Sequence, residues 1–232
     1  MNNRLLLLYQ EYWDALISAP NRNRLSNPLL LYLNDEEKYQ NADLKIMFFG
    51  QETNTWEGEL GGKSIEELLH TYSEFFGKGK CFRYGGQFWN AVRDYVHSIK
   101  QVAPDKSVEF VWNNLIKVGK ADSKGKPGAD LIEFQKKEFP VIKGEIEILK
   151  PDLIIFFTGP YYDQYIEAEW GNVTFTDIHN WKKRELAAIS HELLPVNTFR
   201  TYHPNYIYRK GKAYYSDVRD IILSKIDGVL ED

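Results

Sequence analysis

Four short apolar runs, at residues 44–49, 108–112, 153–157 and 198–202, constrain this chain more than any other feature. Each is rich in Phe, Ile or Val and stops at a Gly, an Asn or a His-Pro pair. Runs of this kind, bounded by such punctuation, read as buried strands. Helical patterns fill the intervals. Ser64 precedes Ile65, Leu68 and Leu69, with Glu67 three residues after it, which is the spacing of a capping box. Phe88, Val92, Tyr95, Val96 and Ile99 recur at helical spacing after Gly85-Gly86. A third helix should end over residues 144–149, stopped by Pro151, and a last one should run from about Ser216 to Ile226. The first forty residues read as two helices broken at Pro20 and Pro28. Strands alternating with helices predict an α/β fold, a three-layer α/β/α arrangement around a central four-stranded, mostly parallel sheet. The less regular stretch 173–193 would add a hairpin or a small flap.

With 232 residues, 43% hydrophobic and 27% charged, the chain has the balance of a globular protein. It shows no repeat or linker, so one domain over residues 1–232 is expected, with residues 1–40 as a helical segment packed on it. The longest apolar run, residues 153–157, is far too short to cross a bilayer. The apolar N-terminal patch continues into an amphipathic pattern without a small-residue cleavage site, and reads as a helix rather than a signal peptide. The one cysteine, Cys81, excludes an intramolecular disulfide and any site built on several thiolates. No local spacing of ligands suggests a metal, and no cofactor is expected. A monomer in a reducing cytoplasm, without a membrane partner, fits these features.

The net charge of −4 argues against nucleic acid until its distribution is considered. Lys117, Lys120, Lys124 and Lys126 are opposed only by Asp122; Lys182, Lys183 and Arg184 form a second cluster, and Arg209, Lys210 and Lys212 a third. Clusters of this kind are often only solvated loops. The first and third, however, fall in or just after loops that follow predicted strands, and ligands of open parallel sheets bind outside the carboxyl ends of the strands.

Those loops also carry the groups that can do chemistry. The first reads Gly50-Gln51-Glu52-Thr53-Asn54-Thr55-Trp56, in which Gly50 permits close backbone approach and Glu52 can project into the crevice, or merely cap a turn. The second strand ends in Asn113-Asn114, amides that offer a donor and an acceptor together. The fourth loop reads Thr201-Tyr202-His203-Pro204-Asn205-Tyr206-Ile207-Tyr208-Arg209, and Pro204 fixes the backbone after His203. A neutral histidine there can donate to an oxygen gaining negative charge. His70, His97, His179 and His191 read as structural. The Gly58–Ser64 stretch is no phosphate loop, since Gly58 and Gly62 enclose three residues rather than four.

Taken in order, IMFFGQETNTW, FVWNNLIKVG, IIFFTGPYY and TYHPNYIYRKG resemble the motifs of the uracil-DNA glycosylase superfamily over roughly residues 44–210. The resemblance implies that Glu52 orients water, that His203 stabilises the departing base as an anion, and that Asn113 reads the base edge. It further implies a substrate-binding set of Gly50, Gln51, Asn54, Phe82 and Asn205, with Phe82 stacking on the base. Tyr206, Ile207 and Tyr208 would form a wedge, with Arg209, Lys210 and Lys212 on the DNA backbone. The implied activity is hydrolysis of the N-glycosidic bond of a damaged or deaminated, uracil-type base in DNA, as in base-excision repair. The implied partner is DNA, held weakly and salt-dependently. This chain departs from the family pattern at Thr53, where a proline is usual, at Asn54, where one branch has tyrosine, and at Asn205 in place of serine. It also lacks the four cysteines of the iron–sulfur branch. Two other functions share the fold: a module that binds a nucleotide or nucleic acid without cleaving it, and a hydrolase of a small nucleoside-like ligand.

Overall fold

The computed structural model describes residues 1–19 and 22–230, and the side chains among them except those of Tyr208 and residues 227–230. Pro20, one of the two expected helix breaks, lies outside the described residues. The chain opens with α1 (Asn2–Ile17), a 3-10 turn (Arg22–Arg24), α2 (Glu36–Gln40) and β1 (Leu44–Glu52). Next come α3 (Ile65–Tyr72), a π-helical turn (Ser73–Gly77), α4 (Lys80–Tyr84), α5 (Gln87–Val102) and β2 (Val108–Ile116). Two helices, α6 (Ala129–Glu138) and α7 (Ile142–Leu149), lead to β3 (Leu153–Phe156). A 3-10 turn (Pro160–Tyr162), α8 (Asp163–Trp170), β4 (Thr174–Asp177) and β5 (Leu186–Ser190) follow. The last elements are β6 (Asn197–Thr201), α9 (Pro204–Lys210) and α10 (Lys212–Leu230).

The fold is α/β, but the sheet has six strands rather than four, in the order β2-β1-β3-β6-β5-β4. β1, β3 and β6 run parallel, with Phe49 opposite Phe156 and Phe156 opposite Arg200. Leu44 N donates to Ser107 O and Thr53 N to Ile116 O, nine residues further on in both strands, so β2 runs in the direction of β1. The two added strands are a hairpin. β5 pairs antiparallel with β6, and β4 with β5, which makes the sheet mixed. The hairpin extends the sheet because Leu186, Ala187 and Ile189 are buried against it. Its outer strand is too short and polar (Thr174-Phe175-Thr176-Asp177) to announce itself by apolar periodicity.

The residues form two compact units, each assembled from three stretches. One unit comprises Glu37–Gly50, Cys81–Trp112 and Lys150–Asp232. Alternation along its strands divides its core. Ile46, Phe48, Leu153, Ile155 and Phe199 pack with Val92, Tyr95 and Ile99 of α5 and with Val218, Ile222 and Ile226 of α10. Phe156, of the other register, meets Trp170 of α8 at 5.7 Å. Helices thus cover both faces of these strands, as the buried runs require.

The other unit comprises Met1–Glu36, Gln51–Lys80 and Asn113–Leu149. Here α1 packs on α6 and α7, and α3 starts with the expected capping box: Ser64 Oγ accepts from Glu67 N while Glu67 accepts from Ser64 N. The second helix expected within residues 1–40 is reduced to α2. Residues 25–33 are not helical because Pro28 lacks an amide donor and their backbone groups bond elsewhere. Ser26 N donates to Gly119 O, Leu29 N to Lys117 O and Leu31 N to the Tyr9 hydroxyl. Leu29, Leu30 and Leu31 are almost wholly buried, each stabilising the fold by about 1.5–3 kcal/mol. No helix among the described residues is long and apolar enough to cross a membrane.

Candidate functional site

In the unit that holds β3 and β6, the parallel register brings three strand ends to one edge. Phe157 N donates to Phe49 O, and Gly159 N to Thr201 O, so the backbone after each strand stays tied to its neighbour. Gly159 adopts φ +73, and a Cβ there would lie 3.6 Å from the Tyr202 ring and 3.9 Å from His203 N. Gly50, Gly159 and His203 therefore share the carboxyl edge where ligands of parallel sheets bind.

His203 is held in a defined state. It immediately precedes α9, and its carbonyl accepts from Tyr206 N and Ile207 N. Its ring Nδ1 accepts from Asn205 N at 3.2 Å. An Nδ1 that accepts a hydrogen bond carries no proton, so the neutral ring bears its proton on Nε2. Burial drives the imidazole pKa from its ordinary 6.5 down to about 4. At neutral pH His203 is an uncharged Nε2–H donor. The Phe88 ring lies 6.1 Å from the imidazole and within 24° of its plane. A planar ligand hydrogen-bonded in the plane of the imidazole would thus lie nearly parallel to Phe88.

The helix that follows differs in part from the expected DNA contacts. Tyr206 is 45% exposed and packs on Tyr202 at 4.4 Å. Ile207 is fully buried in the core and is not part of an exposed wedge; its position on α9 faces α5 and α10. The Tyr208 side chain lies outside the described residues. Lys210 is not an uncommitted cation. Its Nζ is 2.6 Å from Glu185 Oε1 and lies over the rings of Tyr202, Tyr206 and Tyr214 at 5.4, 5.9 and 4.5 Å. Arg209, Lys212 and Asn205 are exposed. Phe82, on α4, is half-buried and packs edge-on against Trp89 and Phe110.

Gln51, Glu52, Asn54 and Asn113 belong to the other unit. Glu52 is the last residue of β1 and, like Gln51, is half-buried. Beyond it, Thr53 N donates to Ile116 O at 3.2 Å and Thr53 Oγ1 to Lys117 O at 2.9 Å. A proline, usual at this point in the resembled family, could make neither bond. Asn54 is exposed, and its Oδ1 accepts from Gly125 N at 2.9 Å. Thr55 and Glu57 have φ +51 and +56, a conformation that a β-branched residue adopts only when its surroundings impose it. The buried Asn27 holds the loop from Glu57 onward, its Nδ2 donating to Glu57 O while its Oδ1 accepts from Gly61 N. Gly119 is fixed by the same packing, since a Cβ there would fall 1.7 Å from Thr53 O.

Asn113 sits elsewhere than an exposed base reader would. It is fully buried, its Nδ2 donating to Glu145 Oε2 at 2.8 Å and its Oδ1 accepting from Lys117 Nζ at 2.7 Å and from Asn114 N at 2.8 Å. Lys117 Nζ also donates to Glu145 Oε1 at 2.7 Å, and Tyr9 donates to the same oxygen at 2.7 Å. The Lys117–Glu145 pair is completely buried, so the Coulombic gain must offset a desolvation cost of several kcal/mol per ion. Glu145 and Tyr9 are not evident as partners in the sequence because nothing in a helix pattern marks an inward carboxylate. Phe88 is hidden in the same way, its spacing being that of an ordinary core residue.

The family model of the uracil DNA glycosylase superfamily matches residues 37–223, and the chain belongs to that superfamily. No curated protein matches the chain.

Proposed function

We propose that this protein hydrolyses the N-glycosidic bond of a modified, uracil-type base in DNA. The observation that carries the reading is His203: neutral, tautomerically fixed, and directing an Nε2–H donor from the carboxyl edge of β6. Breaking a base–sugar bond leaves negative charge on the base and positive charge on the sugar. His203 would donate to the base oxygen as its charge grows, at no cost in proton transfer. Glu52 would supply the opposite charge, favouring the cationic sugar and orienting the attacking water. Phe88, whose ring lies within 24° of the imidazole plane, would stack on the extruded base. DNA is the partner, and the superfamily's theme of base-excision repair supplies the setting.

A second reading rests on Asn113. With donor and acceptor both engaged by Glu145, Lys117 and Asn114, the expected reader of the base edge is occupied. A module that binds a nucleotide or nucleic acid without cleavage needs no such reader at that position.

Chromatography of free base released from oligonucleotides carrying uracil, hypoxanthine or xanthine, single- and double-stranded, separates the two. Base release that Glu52→Gln abolishes, and that His203→Ala slows by about 10²–10³-fold, is expected. Binding without release from any of these substrates would favour the second reading.

A further inference from the structure

We propose that the turn of the β4–β5 hairpin is a rigid clamp for the phosphates of a DNA strand, with Tyr161 beside it as a platform for a base. The proposal rests on the DNA reading above and adds an element outside the four parallel strands. β5 starts where β6 ends, Leu186 opposite Thr201, so the residues before Leu186 lie at the same edge as Tyr202 and His203. Those residues are Lys182, Lys183 and Arg184, all exposed.

The carboxylates near them have other partners, cations for two and a backbone amide for the third. Glu185 is held by Lys210 and Tyr214, Asp163 by Arg200, and Asp177 Oδ1 accepts from the backbone N of Lys183. Among the described residues, none of the three cations forms an ion pair with a carboxylate, so three successive positive charges face solvent in an otherwise acidic chain.

The turn is also held in place from beneath. Arg200, 1% exposed, donates Nη2 to Lys183 O at 2.6 Å and Nη1 to Arg184 O at 3.2 Å. Its Nε and Nη2 form a bidentate pair with Asp163 at 2.8 Å each. Glu185 N donates to Lys182 O, and Trp181 packs edge-on against Tyr214 at 4.9 Å. A buried guanidinium gripping two carbonyls of a loop whose cationic side chains face solvent preorganises those side chains for something outside the protein.

Tyr161 indicates what that is. It is 71% exposed, in the turn after Gly159, and its hydroxyl accepts from Arg184 Nη2 at 2.9 Å while the guanidinium lies 5.2 Å from its ring centre. An exposed aromatic flanked by fixed cations suits a strand with alternating phosphates and bases.

Fluorescence anisotropy with a labelled, unmodified single-stranded oligonucleotide over a salt series tests the clamp. K182Q/K183Q/R184Q should flatten the plot of log affinity against log salt by up to about 2, at roughly 0.7 per lost phosphate contact. K182R/K183R, which keeps the charge, should retain the slope. Y161A should weaken binding roughly tenfold at every salt concentration, because stacking is uncharged. A triple variant with the slope of the unmodified protein, or no salt-dependent binding by the unmodified protein, overturns the clamp. Because this probe carries no modified base, its outcome is independent of base release, which tests excision by itself.

Discussion

A single backbone amide, that of Asn205, decides what His203 can do. By donating to Nδ1 it places the proton on Nε2, and burial keeps the ring neutral. A pH profile reads this directly. The folded pKa of about 4 lies below the unfolded 6.5, so on acidification the unfolded chain takes up its proton first. The stability contributed by the neutral ring is therefore complete above about pH 6.5 and is lost as pH falls toward 4. The rate of base release should show no step near 6.5 and should fall only as the pH approaches 4. An NMR titration of His203 with its midpoint at 6.5 would remove the electrostatic argument. Lys210 makes the complementary point: a cation in sequence is not a cation for a ligand. With its charge matched by Glu185, Lys210→Ala should change the salt slope of DNA binding by much less than one phosphate contact, whereas Lys212→Ala should change it measurably.

The elements show why some of this is legible in the sequence and some is not. The four parallel strands are readable because burial on both faces demands unbroken apolar runs, but β1 and β2 run on through Gly50 and Asn113 to Glu52 and Ile116, and of the three marked residues His203 alone lies beyond its strand. The hairpin's strands are hard to read because β4 and β5 have four and five residues and mix Thr, Ser and Asp with apolar positions. Ile207 is placed in the wedge by the resemblance alone, and so short a helix as α9 has too few turns for its sequence to show which residues face the core. Asn113 is legible as an important residue, yet its partner Glu145 arrives from α7, far away in sequence, and Tyr9 of α1 reaches that carboxylate rather than Asn113. That network has a measurable asymmetry. Lys117→Met alone leaves Glu145 charged and buried, and should destabilise the fold by about 3–5 kcal/mol in denaturant titration. The double variant K117M/E145L removes both charges and should recover much of that loss. Equal losses in the two variants would show that the ion pair itself, rather than the stranded charge, carries the stability.

For the whole molecule, the net charge of −4 averages a chain whose cations are gathered at particular turns. What matters is where the carboxylates have been committed, and three of them, at positions 163, 177 and 185, are committed around one turn. The same hairpin bears on what the edge of the sheet offers to other chains. β6 would otherwise end the sheet, offering the backbone donors and acceptors of Asn197–Thr201 to any other extended chain. β5 covers them, and the edge passes to β4, four residues long, mostly solvent-facing, and ending in Asp177. Short, polar, charged edges of this kind discourage strand-to-strand aggregation. Trimming the hairpin to a minimal parallel core would therefore yield not a smaller working protein but a sticky one.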